Sequence, residues 1–372
     1  MRLGNSDPCS SLVNFPANAK LLLPHLHEPP DMKWFVAAPF ISQSSGTWLA
    51  PFLPSGRHIL EMIPARYVHD RSRANSSVSE WVDYFSHGFE AWSSRSRSSD
   101  KAGIITAFPQ LALTVGLRKR AALRQRRTPL VAYNFNLGQL YGGKKQRIAK
   151  LALDAVDVFV VHSRRESERY SQWLSLPPER FRFVPLQVPM LACTHGENQE
   201  EPFVLAMGSA HRDYRLLLEA MKNLHYPTKI VAGEHALQGL ELPSNVSVYS
   251  NLTREQCHEL SQRARVNVIP IANNSTASGQ VTLIEAMGLG RAVVATACPG
   301  TEDYAQSGKN AILVMPGHLQ QLSDAIADLW ENEDLRQRLG HSARTHAREH
   351  FSDEAAGRYL EVILDDQAAR TR

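Results

Sequence analysis

VNVIPIANNSTASGQVTLIEAMGLGRAVVAT, residues 266–296, is the stretch that decides the fold. VNVIPI (266–271) reads as a buried strand and ANNSTA (272–277) as a polar loop. GQVTLIEAMGLG (279–290) follows as a helix closed by Gly288 or Gly290, and RAVVATA (291–297) is the next strand. Short apolar runs without alternation suit strands covered on both faces, as in a parallel sheet flanked by helices.

The same alternation continues outward. Upstream come strands FVLAMGS (203–209), TKIVAGE (228–234) and NVSVYSNL (245–252), with helices DYRLLLEAMKNL (213–224) and REQCHELSQRA (254–264). Downstream, residues 319–340 make one or two helices and a last helix lies around 353–366. An earlier series starts with the strand WFVAAPF (34–40), which runs through the polar loop SQSSGTWLAPFL (42–53) toward a helix. SSRSRSSD (93–100) reads as a polar loop. GIITAF (103–108), PLVAYNF (129–135), VDVFVVHS (156–163) and FRFVPLQVP (181–189) are strands. Between them lie helices at 110–127, 146–155 and 165–174, the last stopped by Pro177 and Pro178.

The expectation is an α/β chain of two doubly wound, Rossmann-like domains facing a cleft. Residues 1–190 form the first domain, of which 1–30 are an irregular extension. Residues 191–202 are the linker, 203–345 the second domain, and 346–372 a helix that packs back toward the first. Ligands in such sheets bind at the carboxyl ends of the strands.

Composition narrows the function classes. The 372 residues are 43% hydrophobic and 21% charged, which fits a folded chain and excludes a mostly disordered one. No apolar run approaches a membrane span, and the first residues lack the apolar core of a signal peptide. Cys9, Cys193, Cys257 and Cys298 are far apart, which points to reduced thiols and a cytosolic protein rather than a zinc site. His25 and His27, like His346 and His350, have no cysteine or carboxylate cluster beside them and read as surface histidines. Net charge is +4, yet residues 101–150 hold eleven Lys or Arg and no acid. That asymmetry suits a phosphate-bearing or membrane-surface partner; solvated helix faces are the plain alternative. No basic and aromatic interleaving or zinc-finger spacing supports nucleic-acid binding.

The chemistry centres on the start of the decisive helix. Ser278, Gly279 and Gln280 stand where loop becomes helix, so unpaired backbone N–H groups there form an anion site. Val281 and Thr282 complete the first turn. Glu285, further along, is placed to accept both hydrogen bonds of a ribose diol. An ordinary amphipathic helix with Ser278 as its N-cap is the alternative.

EAMGLGRAVVAT (285–296), PGTEDY (299–304) and GKNAILV (308–314) resemble the donor-binding segment of retaining family-4-type glycosyltransferases of the GT-B fold. The resemblance is specific over about 265–350 and architectural over the first 190 residues. It implies a hexosyltransferase using a nucleotide-diphosphate sugar, with retention and without a metal or other cofactor. Glu285 matches the second Glu of the family's Glu-x7-Glu pair, whereas the first falls at Ala277. The resemblance then implies that Gln280, Ser278 and backbone amides hold the sugar, or that activity is lost.

The resemblance also places MGSAHRDY (207–214) on the donor diphosphate, with Gly208 at the turn, Ser209 in place of the usual Arg, and Arg212 at the family's Lys position. Arg212 and Glu285 are the expected catalytic residues, and Asp303 and Tyr304 weaker donor-side candidates. Toward the acceptor it points to Ser45, Gly46, Asn134 and Asn136. For the two asparagines, a role as turn formers before Gly138 is the alternative. The acceptor is a glycan, a lipid-linked molecule or a small molecule. Basic helices near 118–127 and 144–150 are candidate contacts with the inner face of a membrane. A nucleotide-sugar epimerase and a noncatalytic nucleotide-sugar-binding protein are the competing functions. A dinucleotide-dependent dehydrogenase is disfavoured by the missing GxGxxG.

Overall fold

The computed structural model describes residues 32–41, 46–69, 76–122, 127–272 and 276–371. The expected extension at 1–30, Cys9, the pair His25 and His27, Ser45, Arg124 and Arg126 lie outside the described residues.

Two six-stranded parallel sheets carry the fold. The first is built from β1 (Met32–Ala37), β2 (His58–Ile63), β3 (Ala102–Ala107), β4 (Leu130–Tyr133), β5 (Val158–Val161) and β6 (Phe181–Phe183), in the order β2-β1-β3-β4-β5-β6. Its helices are α1 (Val78–Arg97), α2 (Pro109–Ala121), α3 (Gly143–Leu153) and α4 (Arg164–Leu174). The second contains β7 (Val204–Met207), β8 (Thr228–Val231), β9 (Val246–Tyr249), β10 (Val266–Ile269), β11 (Val293–Thr296) and β12 (Ile312–Val314), in the order β12-β11-β10-β7-β8-β9. Around it lie α5 (Tyr214–Leu224), α6 (Arg254–Arg263), α7 (Gln280–Gly288), α8 (Leu319–Glu331) and α9 (Glu333–His350). The strand order reverses between β7 and β10, so the carboxyl ends of these two strands flank the crevice where such sheets take ligands.

Buried branched residues explain the strands. Every residue of β4, β5, β7, β10 and β11 is buried, because helices cover both faces. The last helix, α10 (Asp353–Arg370), sets Ala356, Leu360, Ile363 and Leu364 against Trp34, Val36, Ile105 and Val131 of the first domain. Gly357 permits this: a Cβ there would stand 2.0 Å from the Phe52 carbonyl oxygen. Burial of each large aliphatic side chain is worth ~1.5–3 kcal/mol, so α10 is a firm strap between the domains.

Several elements differ from the sequence reading. The loop after β1 leads to β2, with only a short 3-10 turn at Ala50–Phe52, rather than to a helix. Pro51 and Pro54 deny a longer helix its backbone donors. SSRSRSSD is not all loop: α1 runs through Arg97, its polar end exposed and Ser96 bonded back to the Trp92 carbonyl (2.8 Å). That helix begins with a capping box, Ser77 and Glu80. The helix expected over 110–127 ends at Ala121. FRFVPLQVP keeps only three strand residues, since Pro185 cannot continue a ladder. Val184 belongs to the first domain's core, whereas Leu186, Val188 and Met190 pack in the second. The chain therefore crosses between domains near 185, and residues 191–202 lie on the second domain, where Glu197 pairs with Arg336 (3.2 Å).

Candidate functional site

The crevice between β7 and β10 is shaped by two glycines. Gly208, after β7, has φ +107°, and a Cβ there would meet the Arg212 guanidinium at 2.6 Å. Without one, Arg212 folds back over its own turn. Its Nε donates to the Met207 carbonyl (2.9 Å), Nη1 to the Ala210 carbonyl (3.0 Å) and Nη2 to Thr282 Oγ1 (3.2 Å). None of these partners is a carboxylate. Burial lowers the Arg212 pKa from its ordinary value, but a guanidinium stays charged. A half-buried cation with neutral partners attracts an anion.

The second glycine starts α7. Gly279 is the N-cap, at φ +80°, and a Cβ would lie 3.0 Å from both Ile269 Cγ2 and Ile271 Cδ1. Ser278 is therefore not the cap. The first bond into the helix runs from Leu283 N to the Gly279 carbonyl (3.0 Å), so the amides of Gln280, Val281 and Thr282 precede it.

Beside these turns lies a cavity of about 300 Å³, lined by Gly208, Ser209, Thr282 and Glu285 together with Gly233, Asn251 and Cys257. Ser209 Oγ accepts from the Gly233 amide (2.8 Å) and so ties the loops after β7 and β8. Glu285 Oε1 accepts from Arg254 (3.2 Å) and faces His258 Nε2 (3.3 Å), at 13% side-chain exposure. Both contacts use one oxygen, and a carboxylate has further acceptor capacity for a diol. Gly233, Asn251, Arg254 and His258 were missed in the sequence; only the glycine after a strand offered a signal.

A second cluster joins the domains. Tyr304 OH donates to the His162 carbonyl (2.7 Å) and accepts from Leu186 N (2.9 Å) and Gln280 Nε2 (3.0 Å). Gln280 Nε2 also donates to the His162 carbonyl (2.7 Å). Asp303 accepts from the Arg164 amide (2.8 Å) at the start of α4, and Glu166 of α4 accepts from the Ala277 amide (3.0 Å). The side chain of Gln280 is thus turned to the domain junction and not to the cavity. Ser278 is buried, its backbone pressed under Gly300. Tyr304 and Asp303 join the domains instead of facing that cavity.

Residues 193–346 match the family model described as Glycosyl transferases group 1. Over this stretch the chain is similar to the group 1 glycosyltransferases. The whole fold is GT-B: it resembles sucrose-phosphate synthase of Thermosynechococcus elongatus (TM-score 0.66, 15% identity, covering 91% of this chain and 100% of that one). It also resembles the Anabaena protein HepE in complex with UDP (TM-score 0.63, 13% identity, covering 90% and 100%). A curated relative, the O-antigen chain mannosyltransferase C of Escherichia coli, is 30% identical over 172 residues, 43% of this chain. That match spans 44% of the relative's own length.

The second domain meets the first at His162, which is buried and held below its usual pKa, at about 4, mainly by desolvation. Its Nδ1 donates to the Val184 carbonyl (2.7 Å) and its Nε2 faces the Asn134 side-chain amide (2.5 Å). The Asn134 atom at Nε2 is Oδ1; a neutral His162 with Nδ1–H can only accept at Nε2, so a half-turn of the Asn134 amide would bring its NH₂ there as the matching donor. The unfolded chain, with an ordinary histidine, binds a proton in the window from about pH 6.5 to about 4 that the folded chain refuses. His162 therefore contributes stability above that window and loses it as pH falls through it. Denaturant unfolding followed from pH 7 to pH 4.5 should show this loss, with a shallower slope for His162→Gln.

Asn134 adopts φ +50°, and Asn136 Oδ1 accepts from the Gly138 amide (2.8 Å), the turn-forming role. Gly46 is exposed, and a Cβ there would meet nothing within 4 Å among the described residues beyond its chain neighbours. The basic surface near 118–127 is partly neutralised: Lys119 is buried against Asp157 (2.6 Å), and Arg120 pairs with Asp154 (3.3 Å). Lys144, Lys145 and Arg147 on α3 are exposed. Among the described residues, no three His, Cys, Asp or Glu side chains converge as a metal centre needs, and no helix is long and apolar enough to cross a membrane.

Proposed function

We propose that this chain is a retaining glycosyltransferase that moves a hexose-type sugar from a nucleoside-diphosphate sugar to a glycan, lipid-linked or small-molecule acceptor, in the assembly of a glycan or glycolipid. The observation that carries this reading is the cavity at the β7–β10 switch point. Glu285 there supplies a diol acceptor, while the cation Arg212, whose hydrogen-bond partners are all neutral, and the first amides of α7 lie together on its edge.

In this reading Glu285 takes the ribose hydroxyls and the α7 amides take the diphosphate. Arg212 offsets the charge that builds on the leaving phosphate, the work a divalent cation does elsewhere. The transferred sugar lies toward the first domain, near Ala277 and Asn134, and the two facing sheets keep water from the donor. The group 1 match and the mannosyltransferase relative support the reaction class, and the HepE complex supports a nucleotide donor. We place the protein in the cytosol, with Lys144, Lys145 and Arg147 as the contacts to an anionic membrane face.

The test is turnover. The chain is incubated with UDP-, GDP-, ADP- and dTDP-sugars, with and without extracted lipid-linked and soluble glycans, and nucleoside diphosphate release is followed. Release that requires acceptor is expected. Acceptor-independent conversion of the sugar would identify an epimerase, and binding without turnover a noncatalytic protein.

A further inference from the structure

A second concavity lies in the first domain. It holds about 470 Å³ between α1, α2, α3 and α4. Trp81 and Phe85 of α1, Leu113 and Leu117 of α2, Ile148 of α3 and Trp173 of α4 line it. Phe85 is 48% exposed and Ile148 54%, so the groove opens to solvent along an apolar lip. Its inner end reaches Asn136 and Leu137, just beyond the carboxyl end of β4. That is the edge of the sheet where ligands of this architecture bind. An open apolar groove ending at a ligand-binding edge marks a binding site.

Charge defines the occupant. Among the described residues, Lys145 is the one charged residue lining the groove. It stands 4.4 Å from the Tyr141 ring, and Arg118 lies 4.9 Å from the Phe89 ring nearby. Among the described residues, Lys144, Lys145 and Arg147 form no ion pair, whereas the acids of α1 are engaged: Glu80 with the Ser77 amide (2.6 Å), Asp83 with His69 (2.9 Å) and Glu90 with Arg66 (3.2 Å). The rim is cationic and the floor apolar.

We propose that this groove seats the hydrocarbon chain of the acceptor, an amphiphile whose chain is joined through phosphate to the group that receives the sugar. The chain lies between Trp81, Phe85 and Ile148, and Lys145 meets the phosphate at the rim. A bilayer surface would need a convex apolar face; a concave slot running to Asn136 suits a single chain. The role of acceptor rests on the glycosyl-transfer reading, whereas affinity for an anionic amphiphile does not.

The test is calorimetric titration of the full chain with hexyl, octyl and decyl phosphate below their micelle concentrations. Each methylene that enters the groove should raise affinity, up to about fourfold at full burial, so decyl phosphate should bind at least tenfold more tightly than hexyl phosphate. Phe85→Glu and Ile148→Glu, at exposed positions, should each weaken decyl phosphate at least tenfold. Lys145→Ala should weaken decyl phosphate about threefold or more and leave decanol unchanged. Thermal stabilisation by nucleoside diphosphates should persist in all three variants, showing an intact fold and donor site. Affinity independent of chain length, or unchanged in Phe85→Glu and Ile148→Glu, overturns the proposal. So does phosphatidylglycerol-vesicle binding that needs Phe85 and Ile148 without affinity for monomeric decyl phosphate, or a dimer that Phe85→Glu dissociates. Decyl phosphate binding in a chain that takes no nucleotide keeps the amphiphile site and overturns its assignment to an acceptor.

Discussion

Arg212→Ala should lower kcat/KM for sugar transfer by about 10²–10³, the loss of ~2.7–4 kcal/mol that follows removal of one preorganised charge-stabilising donor. The guanidinium is half-buried, fixed by three neutral acceptors and, among the described residues, in no ion pair, so its charge is open to an anion that enters the crevice. Part of any loss comes from structure, because the carbonyl of buried Met207 loses a donor and a buried unsatisfied group costs ~1–3 kcal/mol. Arg212→Lys separates the two effects. It keeps the charge but not the fork, so it should fall between wild type and Arg212→Ala, with the donor KM raised. Initial rates across donor concentrations, with melting temperatures measured beside them, provide the check. Activity that tracks melting temperature alone would make Arg212 a purely structural residue.

Gly300→Ala should damage the site from behind. A Cβ at Gly300 would stand 2.2 Å from the Ser278 carbonyl oxygen and 2.3 Å from its amide nitrogen. Those are backbone atoms, so relief requires moving the turn that sets Gly279 and the first amides of α7. Overpacking of this kind costs ~1–3 kcal/mol and occasionally more, and we expect the upper end. Donor affinity should fall at least tenfold along with stability. Gly196→Ala, where nothing lies within 4 Å, is the matched control and should leave both within about 0.5 kcal/mol. Denaturant unfolding and nucleotide titration of both variants give the comparison. Unchanged nucleotide affinity in Gly300→Ala would show that the turn does not position the site.

The sequence made the sheets legible because their strands are buried on both faces, so VNVI, VVAT and VFVV stand out as apolar runs. HILEMI at β2 was harder: it is an edge strand in which His58 and Glu61 interrupt the run. α1 was missed for a related reason, since its solvent face is Ser- and Arg-rich and resembles a loop; only the Ser77–Glu80 box marked its start. Within the candidate site, Gly208, Ser209, Thr282 and Glu285 do line one cavity, and Arg212 bonds to Thr282 behind them. Gln280 shows what local sequence cannot carry. Its side chain is assigned by His162 and Tyr304, 118 and 24 residues away along the chain. The same holds for Glu166, whose contact with the Ala277 amide bridges 111 residues and exists only because the domains meet.

Calorimetric titration of UDP, GDP, ADP and dTDP into the wild-type chain and Glu285→Ala tests the central claim most directly, because it reads the proposed donor site without needing an acceptor. The account predicts that one nucleotide binds the wild type, and that at ~100 times its Kd it raises stability by about 2.7 kcal/mol. Loss of the Glu285 carboxylate should weaken that nucleotide at least tenfold, about 1.4 kcal/mol. No binding to the wild type, or equal binding to Glu285→Ala, would contradict the placement of a nucleotide in this crevice.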